Sequence, residues 1–100
     1  MLADMKSMVT KAWREQYALL AINCMNLESA RAAVRVAEKH RAPIILNLYQ
    51  GHLEHFPASI AAAVVKTLAE DASVPVALAL DHGKDPAHIR QAFRLSLIHI

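Results

Sequence analysis

The sequence has little of what marks several large classes of protein. Its single cysteine, Cys24, excludes an internal disulfide framework. Its 11 lysines and arginines exceed its 9 aspartates and glutamates by only two, and the charges are scattered, which argues against a nucleic-acid-binding protein. No apolar run approaches the roughly 18 residues that cross a bilayer, and residues 1–8 lack the apolar core of a signal peptide. We therefore expect a cytoplasmic protein that contacts neither nucleic acid nor membrane.

Three apolar runs stand out in a composition that is 55% hydrophobic and 20% charged, as in a globular protein. They predict strands near residues 17–24, 43–49 and 75–81. Apolar side chains fill consecutive positions in each run instead of alternate ones. That pattern is typical of parallel strands that are covered on both faces.

Helical patterns separate the runs. Asn26 is a suitable N-cap for a helix whose apolar residues recur every three to four positions. Pro57 opens a second helix that extends to about residue 72, and Asp85 caps a third with Pro86 in its first turn. The sequence therefore alternates strand and helix three times.

A further helix is predicted ahead of the first strand, over residues 7–16. Trp13 and Tyr17 are expected to pack this helix onto the core. Repeated βα units of this kind indicate a parallel α/β sheet. The pattern alone leaves two architectures open: an open doubly wound sheet, and a (β/α)8 barrel of roughly 250 residues, of which this chain could supply three units.

Polar residues close each apolar run. Asn23 follows the first, Asn47 and Gln50 the second, and Asp81 and His82 the third. In parallel α/β folds ligands bind at the carboxyl ends of the strands, because the βα loops gather there. The sequence therefore predicts a binding site at that edge, with Asn23, Asp81 and His82 on one side of the sheet.

The Asp81-His82 pair has more than one interpretation. A histidine can ligate a metal, and a neighbouring aspartate can act as an acid or base. Alternatively, the aspartate accepts loop amide protons and the histidine packs at the end of a strand. Gly83, which follows, is predicted to form a tight turn under either interpretation.

Other candidate residues carry weaker signals. His52 and His55 have a spacing that can place two metal ligands on one helical face, but ordinary surface histidines have the same spacing. His40 and His88 are predicted to lie on helix surfaces. We expect Cys24 to be a buried, unreactive thiol, because no basic residue adjoins it in sequence.

Four stretches resemble the class II, metal-dependent ketose-bisphosphate aldolases, the family of fructose- and tagatose-bisphosphate aldolases. They are "MKSMVTKAWREQYALLAIN", "AINCMNLES", "APIILNLYQG" and "VPVALALDHGKDP". The last is the most specific, and the resemblance runs from about Met5 to Phe93. It implies the N-terminal part of a (β/α)8 TIM barrel, with a leading helix and about three βα units.

The resemblance also implies roles for individual residues. His82 would be a ligand of a divalent metal, usually Zn²⁺, and Asp81 the catalytic acid and base. Asn23, Gln50 and Gly51 would contact the substrate, a phosphorylated sugar. The reaction implied is reversible aldol cleavage of a ketose 1,6-bisphosphate to dihydroxyacetone phosphate and an aldehyde, in a full-length protein expected to be a homo-oligomer.

Two positions depart from the family pattern. Tyr49 stands where the family commonly has a serine. Residues 95–100 do not continue the pattern, so we expect a native portion over residues 1–94 followed by a foreign tail. The alternative is that the apolar Leu97 and Ile98 begin a genuine fourth strand. Two alternatives to a working aldolase stay open: a metal-free barrel isomerase or epimerase that uses Asp81 as its base, and an inactive, truncated chain.

Overall fold

Parallel strands alternate with α-helices along the chain. A computed structural model of the protein describes residues 1–95. Its elements in chain order are α1 (Met5–Glu15), β1 (Leu20–Asn23), α2 (Leu27–Lys39), β2 (Ile44–Tyr49), a 3-10 turn (Gln50–His52), α3 (Ala58–Asp71), β3 (Val76–Asp81) and α4 (Pro86–Arg94). The predicted order is confirmed. The predicted tail lies almost wholly outside the described residues and stays a prediction.

The three strands form one sheet in the order β1-β2-β3, and both pairings are parallel. The first residue of β2, Ile44, is aligned with Leu20 of β1 on one side and with Val76 of β3 on the other. Each consecutive pair of strands is joined by a helix, as parallel neighbours require. Within residues 1–95, no helix has the length and apolar character that would let it cross a bilayer.

The main core lies between the sheet and helices α2 and α3. Alternate residues of β2 and β3 supply one side of it, and small residues of the helices supply the other. Its strand members are Ile44, Leu46, Leu48, Val76, Leu78 and Leu80, and its helix members include Ala30, Val34, Ala61, Val65 and Ala69. Because the helices present mainly alanine and valine, their backbones can lie close to the larger strand side chains.

Helix α1 covers part of the opposite face of the sheet. Met8 and Ala12, four residues apart and therefore on one side of the helix, are both buried. Met8 packs in a cluster with the strand residues Ile45, Ala77 and Ala79. The prediction that Trp13 packs α1 onto the core is wrong, since the residue is 78% exposed. Tyr17 is also exposed. The reason is helical geometry: Trp13 lies about 100° around the helix from Ala12 and points away from the sheet.

Strand β1 is shorter and more exposed than predicted. It begins at Leu20, not near residue 17, and all four of its residues are exposed, Leu20 to 64%. The expectation of a strand covered on both faces is therefore wrong for β1 and right for most of β2 and β3. Among the described residues β1 pairs only with β2, so its other edge has no neighbouring strand.

Side-chain caps fix the starts of three helices. Asp4 accepts a hydrogen bond from the Ser7 amide at 2.9 Å, and α1 consequently begins at Met5, two residues earlier than predicted. Asn26 and Ser29 form a reciprocal capping box on α2. Asp85 accepts from the Ala87 amide at 2.8 Å, which confirms the predicted cap of α4.

Candidate active site

The register of the sheet brings the polar residues of the three strands to one edge. Asn23 pairs with Asn47, and Tyr49 pairs with Asp81 two residues nearer the carboxyl ends of the strands. Residues two apart in a strand share a face, so Asn47 and Tyr49 lie on the same side as Ile45, opposite the main core. The predicted convergence of Asn23 and Asp81 at this edge is confirmed. Asn47, which the sequence also placed among the polar residues at the strand ends, belongs to the same row.

The backbone makes a sharp turn at His82. This residue has a φ of 56°, in the left-handed region, which costs a non-glycine residue about 1–2 kcal/mol. The tight turn predicted at Gly83 is confirmed, because the Lys84 amide donates to the His82 carbonyl across it at 2.8 Å. The positive φ belongs to His82, however, and to no glycine among the described residues. Gly83 is needed for space instead, since a Cβ there would lie 2.9 Å from Ile89 Cγ1 and 3.0 Å from Leu80 Cδ2.

A side chain from the neighbouring loop holds this turn. The Lys84 amide donates to the His82 carbonyl at 2.8 Å and also to Gln50 Oε1. Gln50 begins the 3-10 turn after β2, so its side chain links the loops that follow β2 and β3. With its oxygen used in this way, the Gln50 amide nitrogen is the part of the side chain that can still donate to a ligand.

Asp81 and His82 present a carboxylate and an imidazole side by side at the mouth of the site. Asp81 Oδ1 lies 3.7 Å from His82 Nε2, which is too long for a hydrogen bond. The Asp81 side chain is 32% exposed and that of His82 is 63% exposed. The pair can therefore reach a ligand, with the imidazole able to bind a cation and the carboxylate able to exchange a proton.

An aromatic cluster lies beside this pair. The ring of Tyr49 meets His52 edge-to-face at a centroid distance of 5.2 Å and His82 at 5.9 Å. Gly51 makes room for the ring, because a Cβ at that residue would lie 2.5 Å from Tyr49 Cε1. The Gln50 side chain thus fixes the loop that follows β3, and Gly51 leaves space for the ring of Tyr49.

The other histidines within residues 1–95 do not assemble a metal site. His55 and His40 are exposed, as expected of surface residues. His88 is half-buried, so the prediction of a surface residue is wrong for it. The Nδ1 atoms of His52 and His88 are buried and have no hydrogen-bond partner among the described residues. Residues 1–95 contain no group of three or more histidine, cysteine or acidic side chains placed to hold a metal ion.

Cys24 directly follows β1, and its side chain belongs to the main core between the sheet and helices α2 and α3. It is 1% exposed, and its thiol donates to the Asn47 carbonyl at 3.6 Å. Burial raises the pKa of the Cys24 thiol to about 11, because the interior disfavours the thiolate. The predicted burial of Cys24 is confirmed, and its low reactivity stays a prediction.

The family model for the class II fructose-bisphosphate aldolases matches residues 3–98. The chain belongs to this family. The family inferred from "VPVALALDHGKDP" and the other three stretches is therefore confirmed.

Individual class II aldolase relatives agree with this assignment. The fructose-bisphosphate aldolase of Thermus caldophilus is 35% identical over 94 residues, which are 94% of this chain and 30% of that protein. The D-tagatose-1,6-bisphosphate aldolase subunit GatY of Klebsiella oxytoca is 36% identical over 84% of this chain and 30% of its own length. The chain therefore spans about 30% of the length of these relatives.

The fold also matches a solved structure. The YdjI aldolase of Escherichia coli K12 superposes with a TM-score of 0.87 and 26% identity, over 95% of this chain and 37% of that one. The predicted fold class is thereby confirmed: the three parallel βα units and the leading helix correspond to the N-terminal part of an aldolase barrel. The roles predicted for Asn23, Gln50, Gly51, Asp81 and His82 stay predictions.

Proposed function

We propose that this chain supplies the first three βα units of a zinc-dependent aldolase. The reaction is reversible cleavage of a ketose 1,6-bisphosphate to dihydroxyacetone phosphate and an aldehyde. The observation that carries the proposal is the Asp81-His82 pair, open to solvent at the carboxyl end of β3 in a chain of the class II aldolase family. Fructose and tagatose bisphosphates are both candidate substrates, since relatives are named for each.

His82 fits one position in a zinc site. Its exposed imidazole has no hydrogen-bonded partner on either nitrogen among the described residues, so a lone pair is free to bind a metal. A catalytic zinc needs about three protein ligands, and residues 1–95 hold no cluster of that size. The other ligands would therefore come from later βα units. When bound, zinc supplies Lewis-acid polarisation of the substrate ketone.

Asp81 is the proposed acid and base. Its carboxylate is half-buried beside His82 and can pass a proton to or from the aldehyde oxygen as the carbon–carbon bond breaks or forms. Asn23 lies on the same edge and is proposed to contact the substrate, together with Gln50 and Gly51 of the loop after β2. The Gln50 amide nitrogen and the backbone of Gly51 are suitable donors to substrate oxygens.

The proposal extends to the whole protein. A complete barrel needs roughly 250 residues, so we propose that activity requires the remaining βα units and that this chain alone does not cleave sugar bisphosphates. We also propose that the full-length barrel is a cytoplasmic homo-oligomer, as expected from the resemblance.

A hybrid barrel tests the roles of the two residues. Residues 1–94 of this chain replace the matching third of the Thermus caldophilus aldolase, which is 35% identical to it. In this hybrid, His82→Ala should remove zinc and cleavage together, since a ligand is lost. Asp81→Asn should keep zinc and lower the cleavage rate by about 10²–10⁴-fold, since only proton transfer is lost.

The matched control is His40→Ala, which removes an exposed histidine at the end of α2. It should leave zinc content and rate unchanged. Zinc is measured by elemental analysis, and cleavage is measured with both bisphosphates. A His82→Ala hybrid with full zinc content and a normal rate would refute the assignment, and a cleavage rate that survives zinc removal would refute the proposed zinc dependence.

A further inference from the structure

We propose that Tyr49 is a positioning residue that holds the imidazole of His82 in the orientation needed to bind metal. The inference rests on the proposed role of His82 as a ligand. It concerns a residue of this chain at the carboxyl end of β2, next to the Asp81-His82 pair but on a different strand.

The problem that Tyr49 solves is the freedom of the His82 side chain. That side chain is 63% exposed, and its backbone is in a left-handed conformation with a φ of 56°. Asp81 Oδ1 is 3.7 Å from its Nε2 and makes no hydrogen bond that could orient the ring. An imidazole left to rotate in solvent loses conformational entropy when a metal fixes it.

Tyr49 supplies a contact that limits this rotation. Its ring meets the His82 imidazole at 5.9 Å with an interplanar angle of 87°. This is the edge-to-face arrangement that aromatic rings prefer. The Cα of Tyr49 pairs with that of Asp81. The ring of Tyr49 is therefore on the strand next to the one that carries His82, and it lies on the same face of the sheet as the site.

The ring of Tyr49 is itself fixed from the core outward. His52 meets it edge-to-face at 5.2 Å and 84°. The His52 carbonyl accepts hydrogen bonds from the amides of His55 at 3.1 Å and Phe56 at 2.8 Å, and Phe56 is buried. A continuous series of contacts therefore runs from the core through Phe56, His52 and Tyr49 to the His82 ring.

Gly51 completes the arrangement. A Cβ there would lie 2.5 Å from Tyr49 Cε1 and 3.2 Å from Cδ1 and Cζ, so the ring lies directly against the glycine. The φ of Gly51 is not positive, and the glycine is therefore required for space and not for backbone conformation. All of these contacts involve the ring of Tyr49, so the ring, not the hydroxyl, should carry the effect.

The test measures zinc affinity in the hybrid barrel by competition with a chelator. Tyr49→Leu and Tyr49→Ser should each raise the Kd for Zn²⁺ by about 10–100-fold, the usual effect of losing a group that orients a ligand. Tyr49→Phe should retain the original Kd, because it keeps the ring. Tyr17→Ser is the control, since it removes the chain's other tyrosine, which is exposed. The visible spectrum of the cobalt-substituted protein should change in Tyr49→Leu and stay constant in Tyr49→Phe.

The outcomes separate this inference from the proposed function. If His82→Ala keeps zinc, the proposed function fails. If His82→Ala loses zinc but Tyr49→Leu binds it with the original Kd, only the positioning role of Tyr49 is refuted. An equal loss in Tyr49→Phe would assign the effect to the hydroxyl and would also overturn the inference.

A measurement on the zinc-free chain guards against variants or hybrids that fold poorly. In the 100-residue chain labelled at histidine, Tyr49→Leu should shift the NMR signals of the His52 and His82 ring protons, because both rings lose the same aromatic neighbour. His40 should not shift. Unchanged His52 and His82 signals would show that the contact does not exist and would overturn the inference.

Discussion

The chain's single cysteine gives a sensitive test of the fold. Cys24 is 1% exposed, and burial raises the pKa of its thiol from 9.0 to about 11. Since the thiolate is the reacting species, a shift of this size lowers the reactive fraction at pH 8 by about 100-fold. Exclusion of the reagent from the core slows the reaction further. We expect Cys24 in the folded chain to react with a disulfide reagent at least that much more slowly than in urea.

The same shift predicts how stability depends on pH. Below about pH 9 the thiol is neutral in both the folded and the unfolded chain, so the contribution of the buried thiol is fully present. Above that pH the unfolded chain ionises first, and stability falls until the folded thiol also ionises near pH 11. The loss over this window should be about 2–3 kcal/mol. Cys24→Ala should not show this loss of stability between pH 9 and pH 11, because it has no thiol to ionise.

The assay follows labelling of the only thiol in the chain at several pH values. Thr10→Cys in a Cys24→Ala background is the matched control, because Thr10 is exposed on α1 and its thiol should react like one in an unfolded chain. Equal labelling rates for Cys24 and the Thr10→Cys control under native conditions would refute the buried position of Cys24. A stability loss above pH 9 that persists in Cys24→Ala would refute the pH argument.

Three further predictions concern stability, each measured by denaturant unfolding. Asn26→Ala should cost about 1 kcal/mol, because it removes the oxygen that accepts the Ser29 amide at 2.8 Å; no loss would mean that the capping box contributes nothing. Leu46→Ala should cost about 2–5 kcal/mol, because Leu46 is 0% exposed in the centre of the core; a loss below about 1 kcal/mol would contradict its central position. Gly51→Ala should destabilise the chain by displacing the Tyr49 ring, yet stabilise a Tyr49→Leu variant by about 0.4–1 kcal/mol; the same effect in both backgrounds would refute the clash.

The sequence predicted the order of elements because the apolar runs of β2 and β3 are long and continuous. Strand boundaries there agree within one residue of prediction, from 43–49 to Ile44–Tyr49 and from 75–81 to Val76–Asp81. The start of β1 was not predictable in this way. Residues 17–19 are as apolar as the strand itself. Helix α1 ends at Glu15, and its C-cap Gln16 adopts a left-handed conformation with no glycine to mark it.

The site was predictable in outline but not in its contacts. Polar residues at strand ends placed Asn23, Asp81 and His82 at one edge, since parallel strands end on the same side. The left-handed backbone of His82 has no sequence signal, because the glycine that follows it is the residue expected to adopt such a conformation. The link between Gln50 and Lys84 joins residues 34 apart, and only the register of β2 against β3 brings them together.

The alternation of β2 has a consequence for how the chain tolerates changes in length. Within Ile44–Tyr49, Leu46 and Leu48 face the core while Asn47 and Tyr49 face the site. An insertion or deletion of one residue inside this strand would exchange the two sets beyond the change and bring leucines to the active edge. Insertions in the loop between Tyr49 and Ala58 would leave the alternation intact. Length variation among relatives should therefore be found after β2 and be absent from within it.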